Sequence, residues 1–222
     1  MKLFFIVVLA CLGGCATTSE VVPLETQSKT LALVVDVEDE VSLDWIGTTV
    51  LNNTFNAQRL PNLRIPDAIE RTTRQVLTSA GLSSITRITP SDFKQKAVTT
   101  TYDYVLEFKP TRANDVRFGP RGTYLSGIGV YQRSIFNGTP VSKSHVVLEA
   151  KLMNGRANQK IDSFWWLESV DGPIFSDKSE APLTAKQVSK LEANIDTMIG
   201  KAVSISIRQL GLTEFVPIAA GR

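Results

Sequence analysis

The side chains most often used for nucleophilic attack and for metal binding are scarce in this chain. It contains two cysteines, Cys11 and Cys15, and a single histidine, His145, which falls in a strand-like pattern of alternating apolar residues. No Gly-x-Ser-x-Gly sequence is present to supply an activated serine. Because a metal site needs several clustered ligands, we expect no metal, no cofactor and no catalytic residue, and we interpret His145 as structural.

A cluster of carboxylates suggests acid–base catalysis as a second kind of chemistry. Asp36, Glu38, Asp39 and Glu40 follow an apolar run of strand length, and paired carboxylates can act as acid and base in glycoside hydrolysis. Spacing along a sequence does not define such a pair, and acidic residues are mostly exposed in folded proteins. We therefore interpret the cluster as a solvated strand end. A cell-wall hydrolase that uses carboxylates is an alternative of another class.

Cys15 ends a pattern that is typical of exported proteins. Lys2 precedes an apolar run over residues 3–12, which is shorter than the about 20 residues of a membrane-spanning helix and has the length of a signal-peptide core. The run closes with Leu12-Gly13-Gly14-Cys15, and polar residues follow. This arrangement resembles the lipobox of bacterial lipoproteins, in which small residues separate an aliphatic residue from an invariant cysteine.

The resemblance implies cleavage between Gly14 and Cys15 and acylation of Cys15. Because Ala16 rather than an aspartate follows the cysteine, it also implies export to the outer membrane, with the rest of the chain facing the periplasm. Acyl chains contribute about 0.8 kcal/mol for each buried methylene, so they would hold the protein on the membrane. The alternative is an ordinary signal peptide that is cut near Ala10 or Ala16.

Charge and composition narrow the class of protein. Lys and Arg number 24 and Asp and Glu 22, which gives a net charge of +2 and lacks the basic excess of nucleic-acid binders. With 43% hydrophobic and 21% charged residues, the chain is expected to fold around a core of its own. We predict a membrane-bound globular domain with no nucleic-acid partner.

The distribution of apolar residues divides the chain into four parts. Residues 1–14 are the signal peptide, and residues 15–30 are the acylated cysteine and a flexible tether. Residues 31–211 are the periplasmic domain, and residues 212–222 are a C-terminal tail.

Two helices are predicted within the domain from apolar spacing near 3.6 residues. An amphipathic helix covers about 66–80, and a long C-terminal helix covers about 184–210. Thr184 and Gln187 have the spacing of a capping box at the start of the second helix.

Strand-like patterns lie before the first of these helices and between the two. Residues 145–153 alternate apolar and polar side chains, Asn154-Gly155 is typical of a hairpin turn, and residues 161–170 have the length of a returning strand. Residues 31–37 form an apolar run typical of a strand buried on both faces, whereas residues 41–64 fit no single element. The sequence thus predicts an α/β fold: a mixed sheet with an antiparallel meander in its second half, packed by the two helices.

The same order of elements resembles that of envelope lipoproteins of the CsgG, LpoB and TolB amino-terminal group. Short motifs carry the resemblance: Val34-Val35-Asp36-Val37 ends a first strand, Leu77 to Gly81 ends a helix, and Tyr102 to Leu106 form a later strand. It implies a periplasmic domain that binds another envelope protein or copies of itself. Pore formation, which is a property of secretion members of the group, is not expected, because residues 124–134 lack a continuous apolar face.

One segment combines the residue types that anchor protein interfaces. Arginine and tyrosine are enriched at the energetic centres of interfaces, and this segment holds both around flexible glycines. The candidate partner-binding residues are Arg117, Arg121, Tyr124, Tyr131 and Arg133. A second aromatic segment, Phe164 to Leu167, is instead predicted to be core, with one face under a helix and the other under residues 38–64.

These observations predict a non-enzymatic, membrane-anchored envelope lipoprotein. It would act as a protein-binding adaptor or regulator of a cell-envelope assembly or secretion machine. The alternatives are a self-assembling subunit of an envelope ring, a lipid-transport auxiliary subunit, and the hydrolase mentioned above.

Overall fold

The computed structural model describes residues 29–48, 53–115, 123–135, 140–175 and 183–213. The predicted signal peptide, Cys15 and most of the tether, residues 1–28, lie outside this part of the chain. Residues 214–222 of the predicted tail also lie outside it, whereas Leu212 is buried in the core of the domain.

The described residues form strands and helices in alternating groups. The strands are β1 (Thr30–Val35), β2 (Glu40–Thr48), β3 (Asn53–Pro61), β4 (Ser84–Ile88), β5 (Tyr104–Pro110), β6 (Arg112–Asp115), β7 (Thr123–Ser126), β8 (Ile128–Ile135), β9 (Val141–Asn154) and β10 (Gln159–Asp171). The helices are α1 (Ile65–Ser79), α2 (Pro90–Phe93), α3 (Lys96–Thr99) and α4 (Ala185–Gln209).

Most strands join one mixed sheet in the order β3-β2-β8-β9-β5-β1-β4, and β10 pairs with β9. β1 is parallel to β4 and β5, and β2 is parallel to β8. The pairs β2–β3, β5–β9, β8–β9 and β9–β10 are antiparallel. The predicted mixed sheet is confirmed, and β8, β9 and β10 are its antiparallel meander.

The sheet forks at Val147 in the middle of β9. Along one edge, β9 pairs with β8 as far as Val146 and with β5 from Leu148 onward. Between these pairings, the N–H of Val147 donates to the carbonyl oxygen of Gly127 at 2.7 Å, and its own carbonyl accepts the N–H of Thr111 at 3.2 Å. Along its other edge β9 pairs with β10, so this long strand holds the two arms of the sheet together.

Helices α1 and α4 cover one face of the sheet, which confirms the two predicted helices. The buried stripe of α4 consists of Leu191, Ile195, Met198, Ile199, Ala202, Val203, Ser206 and Ile207. It belongs to the same core as the β9 side chains Val146, Leu148, Ala150 and Leu152. Burial of each large aliphatic side chain contributes about 1.5–3 kcal/mol, so this shared core fixes both helices on the sheet. Among the described helices, none is long and apolar enough to cross a membrane.

The short helices α2 and α3 and the β6–β7 hairpin cover parts of the opposite face. Phe93 of α2 and Val98 of α3 pack over a cluster that includes Ala32 and Val34 of β1. The β6–β7 hairpin contributes to a second cluster, which consists of Ala113, Leu125, Tyr131 and Val147. β1 is therefore buried on both faces, as its continuous apolar run predicts.

Polar side chains cap both long helices. The capping box of α4 forms as predicted, because Thr184 Oγ1 accepts the N–H of Gln187 at 3.3 Å and Gln187 Oε1 accepts the N–H of Thr184 at 2.9 Å. At α1, the N–H of Ile65 donates to Asp39 Oδ1 at 2.8 Å. Asp39, one of the clustered acids, thus caps a helix that begins 26 residues later in the sequence.

Two regions add detail that the sequence pattern does not supply. Residues 41–64 contain most of the β2–β3 hairpin, in which Trp45 Nε1 donates to Ser134 Oγ at 3.2 Å. The turn after β9 spans residues 155–158 rather than Asn154-Gly155 alone. A Cβ at Gly155 would lie 2.3 Å from the carbonyl oxygen of Tyr102, so this turn needs glycine because another backbone segment approaches it closely.

Candidate protein-binding surface

The structure describes only part of the predicted arginine–tyrosine segment. Arg117 and Arg121 lie outside the described residues, as does the side chain of Tyr124 on β7. Tyr131 is only 6% exposed and packs in the cluster beneath the β6–β7 hairpin. Arg133 is half-buried, and its Nε has no hydrogen-bond partner among the described residues. As placed, Tyr131 offers little surface to a partner.

His145 lies in the interior of the domain. Ser42, Gly129 and His145 are direct neighbours across β2, β8 and β9, and Ser42 and His145 are 6% and 1% exposed. A Cβ at Gly129 would lie 2.2 Å from Ser42 Oγ and 3.0 Å from His145 Cε1, so the missing side chain makes room for both neighbours. The imidazole Nε2 lies 3.3 Å from the carbonyl oxygen of Ser126. These contacts fit the structural role that the sequence predicts for His145.

The clustered carboxylates at the end of β1 are separated by the fold. Asp36 is exposed, Asp39 caps α1, and Glu40 pairs with Arg59 at 3.4 Å. Within the residues that the structure describes, no three His, Cys, Asp or Glu side chains are grouped so that they could hold a metal ion.

Asp103 forms a polar cluster at the end of the sheet where β1 begins. Its Oδ2 accepts the backbone N–H of Thr30 at 2.9 Å and the Thr30 hydroxyl at 3.0 Å, and its Oδ1 accepts Arg156 Nε at 2.8 Å. The pKa of Asp103 is lowered from 3.8 to about 2. The hydrogen bond from Arg156 contributes most to this change, and the hydrogen bonds from Thr30 contribute next. A cleft of about 550 Å³ beside this cluster is lined by Lys29, Asp103, Tyr104, Asn154, Arg156 and Ala157. The cluster fixes the point at which the chain enters the domain.

The β10 strand presents aromatic side chains on both of its faces. Phe164 and Trp166 are paired with β9 residues that face α4, and their ring centroids lie 6.2 Å apart. Trp166 Nε1 donates to Glu168 Oε2 at 3.1 Å, and Lys201 of α4 donates to Glu168 Oε1 at 2.9 Å. This face is packed under a helix, as the sequence predicts.

The other face of β10 differs from the prediction, because Trp165 is 56% exposed. Residues 38–64 do not cover it, since β2 and β3 lie in the other arm of the sheet. Trp165 lies directly across from Glu149 of β9, which pairs with Lys109 of β5 at 3.2 Å. The indole of Trp165 is therefore available to contact another protein, and tryptophan is enriched among the residues that contribute most to binding at protein interfaces.

A shallow groove of about 540 Å³ runs along the same strand. Its lining residues are Ser163, Phe164, Trp165, Trp166 and Leu167. Since residues from both faces of β10 line it, the groove follows the edge of the strand rather than one face of the sheet. We name the segment Ser163–Leu167 the β10 edge.

The sequence pattern reveals the aromatic run of β10 but predicts that it lies in the core. Alternation places Phe164 and Trp166 on one face and Trp165 on the other, yet which face is covered depends on elements far away in the sequence. The hairpin signal at Asn154-Gly155 places β10 beside β9, but only the sheet order shows that no described strand follows it.

Comparison with known proteins gives similarity in structure only. No protein-family model matches the sequence, and no curated protein matches it. The solved structures to which the chain is similar include the PelC dodecamer from Paraburkholderia phytofirmans (10% identity, TM-score 0.41, 86% of this chain and 93% of that chain covered). They also include protein XCC0632 from Xanthomonas campestris, of the DUF330 family model (11% identity, TM-score 0.40, 86% and 91% covered). A third is lipoprotein GNA1162 from Neisseria meningitidis (11% identity, TM-score 0.32, 78% and 99% covered). This likeness concerns the course of the backbone, and we base no functional argument on it.

Proposed function

We propose that this chain is a non-enzymatic lipoprotein of the bacterial cell envelope that is anchored to the outer membrane through Cys15 and binds another envelope protein. The observation that carries the proposal is the exposure of apolar side chains on β10. Ile161 and Trp165 of this strand are 42% and 56% exposed, although most large apolar side chains of the domain are buried. Trp165 also lines the groove along this strand, so its exposed indole offers a contact surface to a partner.

The anchoring part of the proposal rests on the sequence Leu12-Gly13-Gly14-Cys15 and on where the chain enters the domain. Thr30 donates two hydrogen bonds to Asp103 at one end of the sheet. A tether of the length between Cys15 and Lys29, with the flexibility that the sequence predicts, would span about 20 Å on average. The acyl chains would thus keep the domain close to the membrane and its partners.

Acylation is tested by growing cells with an alkyne-labelled palmitate and separating their membranes. We expect the wild-type protein to carry the label and to sediment with the outer membrane, and we expect Cys15→Ser to abolish the label. Cys11→Ser is the matched control and should leave the label unchanged. An unlabelled wild-type protein would contradict the anchor.

Protein binding is tested by gentle crosslinking in cells, purification of the tagged lipoprotein and mass spectrometry. We expect one dominant envelope protein that is lost with Trp165→Ala and retained with Lys190→Ala, a substitution at an exposed site on α4. Crosslinks to copies of this chain alone would support the self-assembling subunit instead. Release of fragments from peptidoglycan by the purified protein would support the hydrolase and contradict the non-enzymatic role.

A further inference from the structure

Alternate residues of the β10 edge direct their backbone groups away from the sheet. Val147 directs both its N–H and its C=O toward Gly127 and Thr111 on one edge of β9. Since successive residues of a strand direct these groups to opposite edges, Val146 and Leu148 direct theirs toward β10. The carbonyl of Ser142, which accepts the N–H of Gly172 at 3.0 Å, follows the same alternation.

The register between β9 and β10 then shows to which edge each residue of β10 directs its backbone N–H and C=O groups. Val146 and Leu148 pair with Glu168 and Trp166, so these two residues of β10 direct their groups toward β9. Trp165 and Leu167 direct their N–H and C=O groups to the other edge, with which no described strand pairs. Two donors and two acceptors therefore stand in a row at the spacing that an additional strand requires.

The start of β10 is protected against pairing, but its centre is not. Folded proteins protect edge strands with bulges, charged side chains or proline. A bulge interrupts β10 between Lys160 and Asp162, and Asp162 Oδ1 accepts the N–H of Ser163 at 2.7 Å. From there to Leu167 the sequence contains no lysine and no proline. The open stretch coincides with the groove that lies along the strand.

The charges around this stretch favour a basic partner over a second copy of the chain. Asp162, Glu168 and Asp171 flank the apolar centre of β10. Glu168 and Asp171 are paired with Lys201 and Lys143, whereas Asp162 is exposed and makes no ion pair with any other described residue. If two copies paired in antiparallel fashion about Trp165, Asp162 of each would lie opposite Glu168 of the other, so a second copy would place no cation directly opposite Asp162. A Lys or Arg residue in an incoming strand would supply one.

We propose that the β10 edge binds an extended apolar segment of another protein, flanked by Lys or Arg residues, which joins the sheet as a further strand beside β10. This inference rests on the proposed adaptor function and supplies its mode of recognition. Main-chain bonds to Trp165 and Leu167 give affinity, the exposed indole of Trp165 covers the incoming side chains, and Asp162 selects the basic flank.

The test uses the purified lipoprotein in detergent and a fluorescent peptide probe, Lys-Thr-Val-Ile-Val-Thr-Lys with blocked ends, measured by fluorescence anisotropy. We expect it to bind about fivefold more tightly than the same peptide with Glu at both ends, with the preference shrinking as salt rises. Asp162→Lys should remove or reverse the preference. Glu38→Lys, an exposed charge reversal at the end of β1, should leave it unchanged.

Backbone pairing is tested with two further probes that are N-methylated on alternate amides. An N-methyl group removes a donor, so the peptide whose modified amides face β10 should bind at least about tenfold more weakly. Equal binding of both methylated probes, or no preference for the basic flank, would overturn the proposal. Failure of all probes to bind would also overturn it. The adaptor function would then still stand if the crosslinked partner depends on Trp165, so the two failures are distinguishable.

Discussion

Neutralising Asp103 is expected to destabilise the domain and to remove a defined part of its pH dependence. Its hydrogen bonds with Arg156 and Thr30 lower the pKa of its carboxyl from 3.8 to about 2. A group whose pKa is lower in the folded state stabilises that state above its unfolded pKa. The stabilisation from Asp103 is therefore present above about pH 4 and is lost as the pH falls from about 4 to about 2.

The magnitude follows from the size of the shift. A change from 3.8 to about 2 corresponds to about 2.4 kcal/mol in the absence of screening. Because the side chain of Arg156 is 66% exposed, solvent weakens the interaction, and we expect Asp103→Asn to cost about 1–1.5 kcal/mol at neutral pH.

The assay is urea unfolding of the wild type and of Asp103→Asn across this pH range, followed by circular dichroism. The difference in unfolding free energy between the two proteins should shrink toward zero near about pH 2. Glu70, hydrogen-bonded by Arg74 and Arg87, also has a lowered pKa, but its contribution cancels in the difference. Arg156→Gln should lose a similar amount, and the double variant should lose little more than either. A difference that is independent of pH would refute the electrostatic reasoning.

Three further predictions concern the same measurement of stability. Gly155→Ala should cost about 1–3 kcal/mol, because its Cβ would lie 2.3 Å from the carbonyl oxygen of Tyr102, whereas Gly200→Ala, with no heavy atom within 4 Å, should stabilise α4 by about 0.5–1 kcal/mol. Thr184→Ala should cost about 1 kcal/mol through loss of the capping box, and an unchanged urea midpoint would contradict that role. Trp166→Ala should cost about 2 kcal/mol through lost packing, whereas Trp165→Ala should change stability by less than about 0.5 kcal/mol. Equal effects of the two tryptophan substitutions would contradict the assignment of their faces.

The sequence predicts those helices and strands whose ends and buried faces are determined by their own residues. The stripe from Leu191 to Ile207 and the capping box at Thr184 define α4 without reference to the rest of the chain. The apolar run of β1 predicts burial on both faces, and the structure supplies the two layers that cover it.

Features that depend on distant residues are not predictable in this way. Asp39 is an ordinary acidic residue in the sequence, and its role as a helix cap exists only because Ile65 folds back onto it. Tyrosine is a residue type that often anchors protein interfaces, but Tyr131 is buried beneath the β6–β7 hairpin.

The exposure of Trp165 on the β10 edge is not predictable from the sequence for a related reason. Alternation identifies which residues of β10 share a face, but the exposure of Trp165 depends on which elements fail to reach it. The fork at Val147, which places β8 and β5 on one edge of β9 and leaves β10 on the other, arises from pairings between residues that are far apart in the sequence.

Contact between a protein partner and the β10 edge in the cell can be detected by site-specific photocrosslinking. A photoreactive amino acid is placed at position 165 or, as a control, at exposed position 190 of the full-length lipoprotein, and intact cells are irradiated. We expect position 165 to give a crosslink to one envelope protein that position 190 does not give. Identical crosslinking patterns from the two positions, or no crosslink from position 165, would contradict such contact.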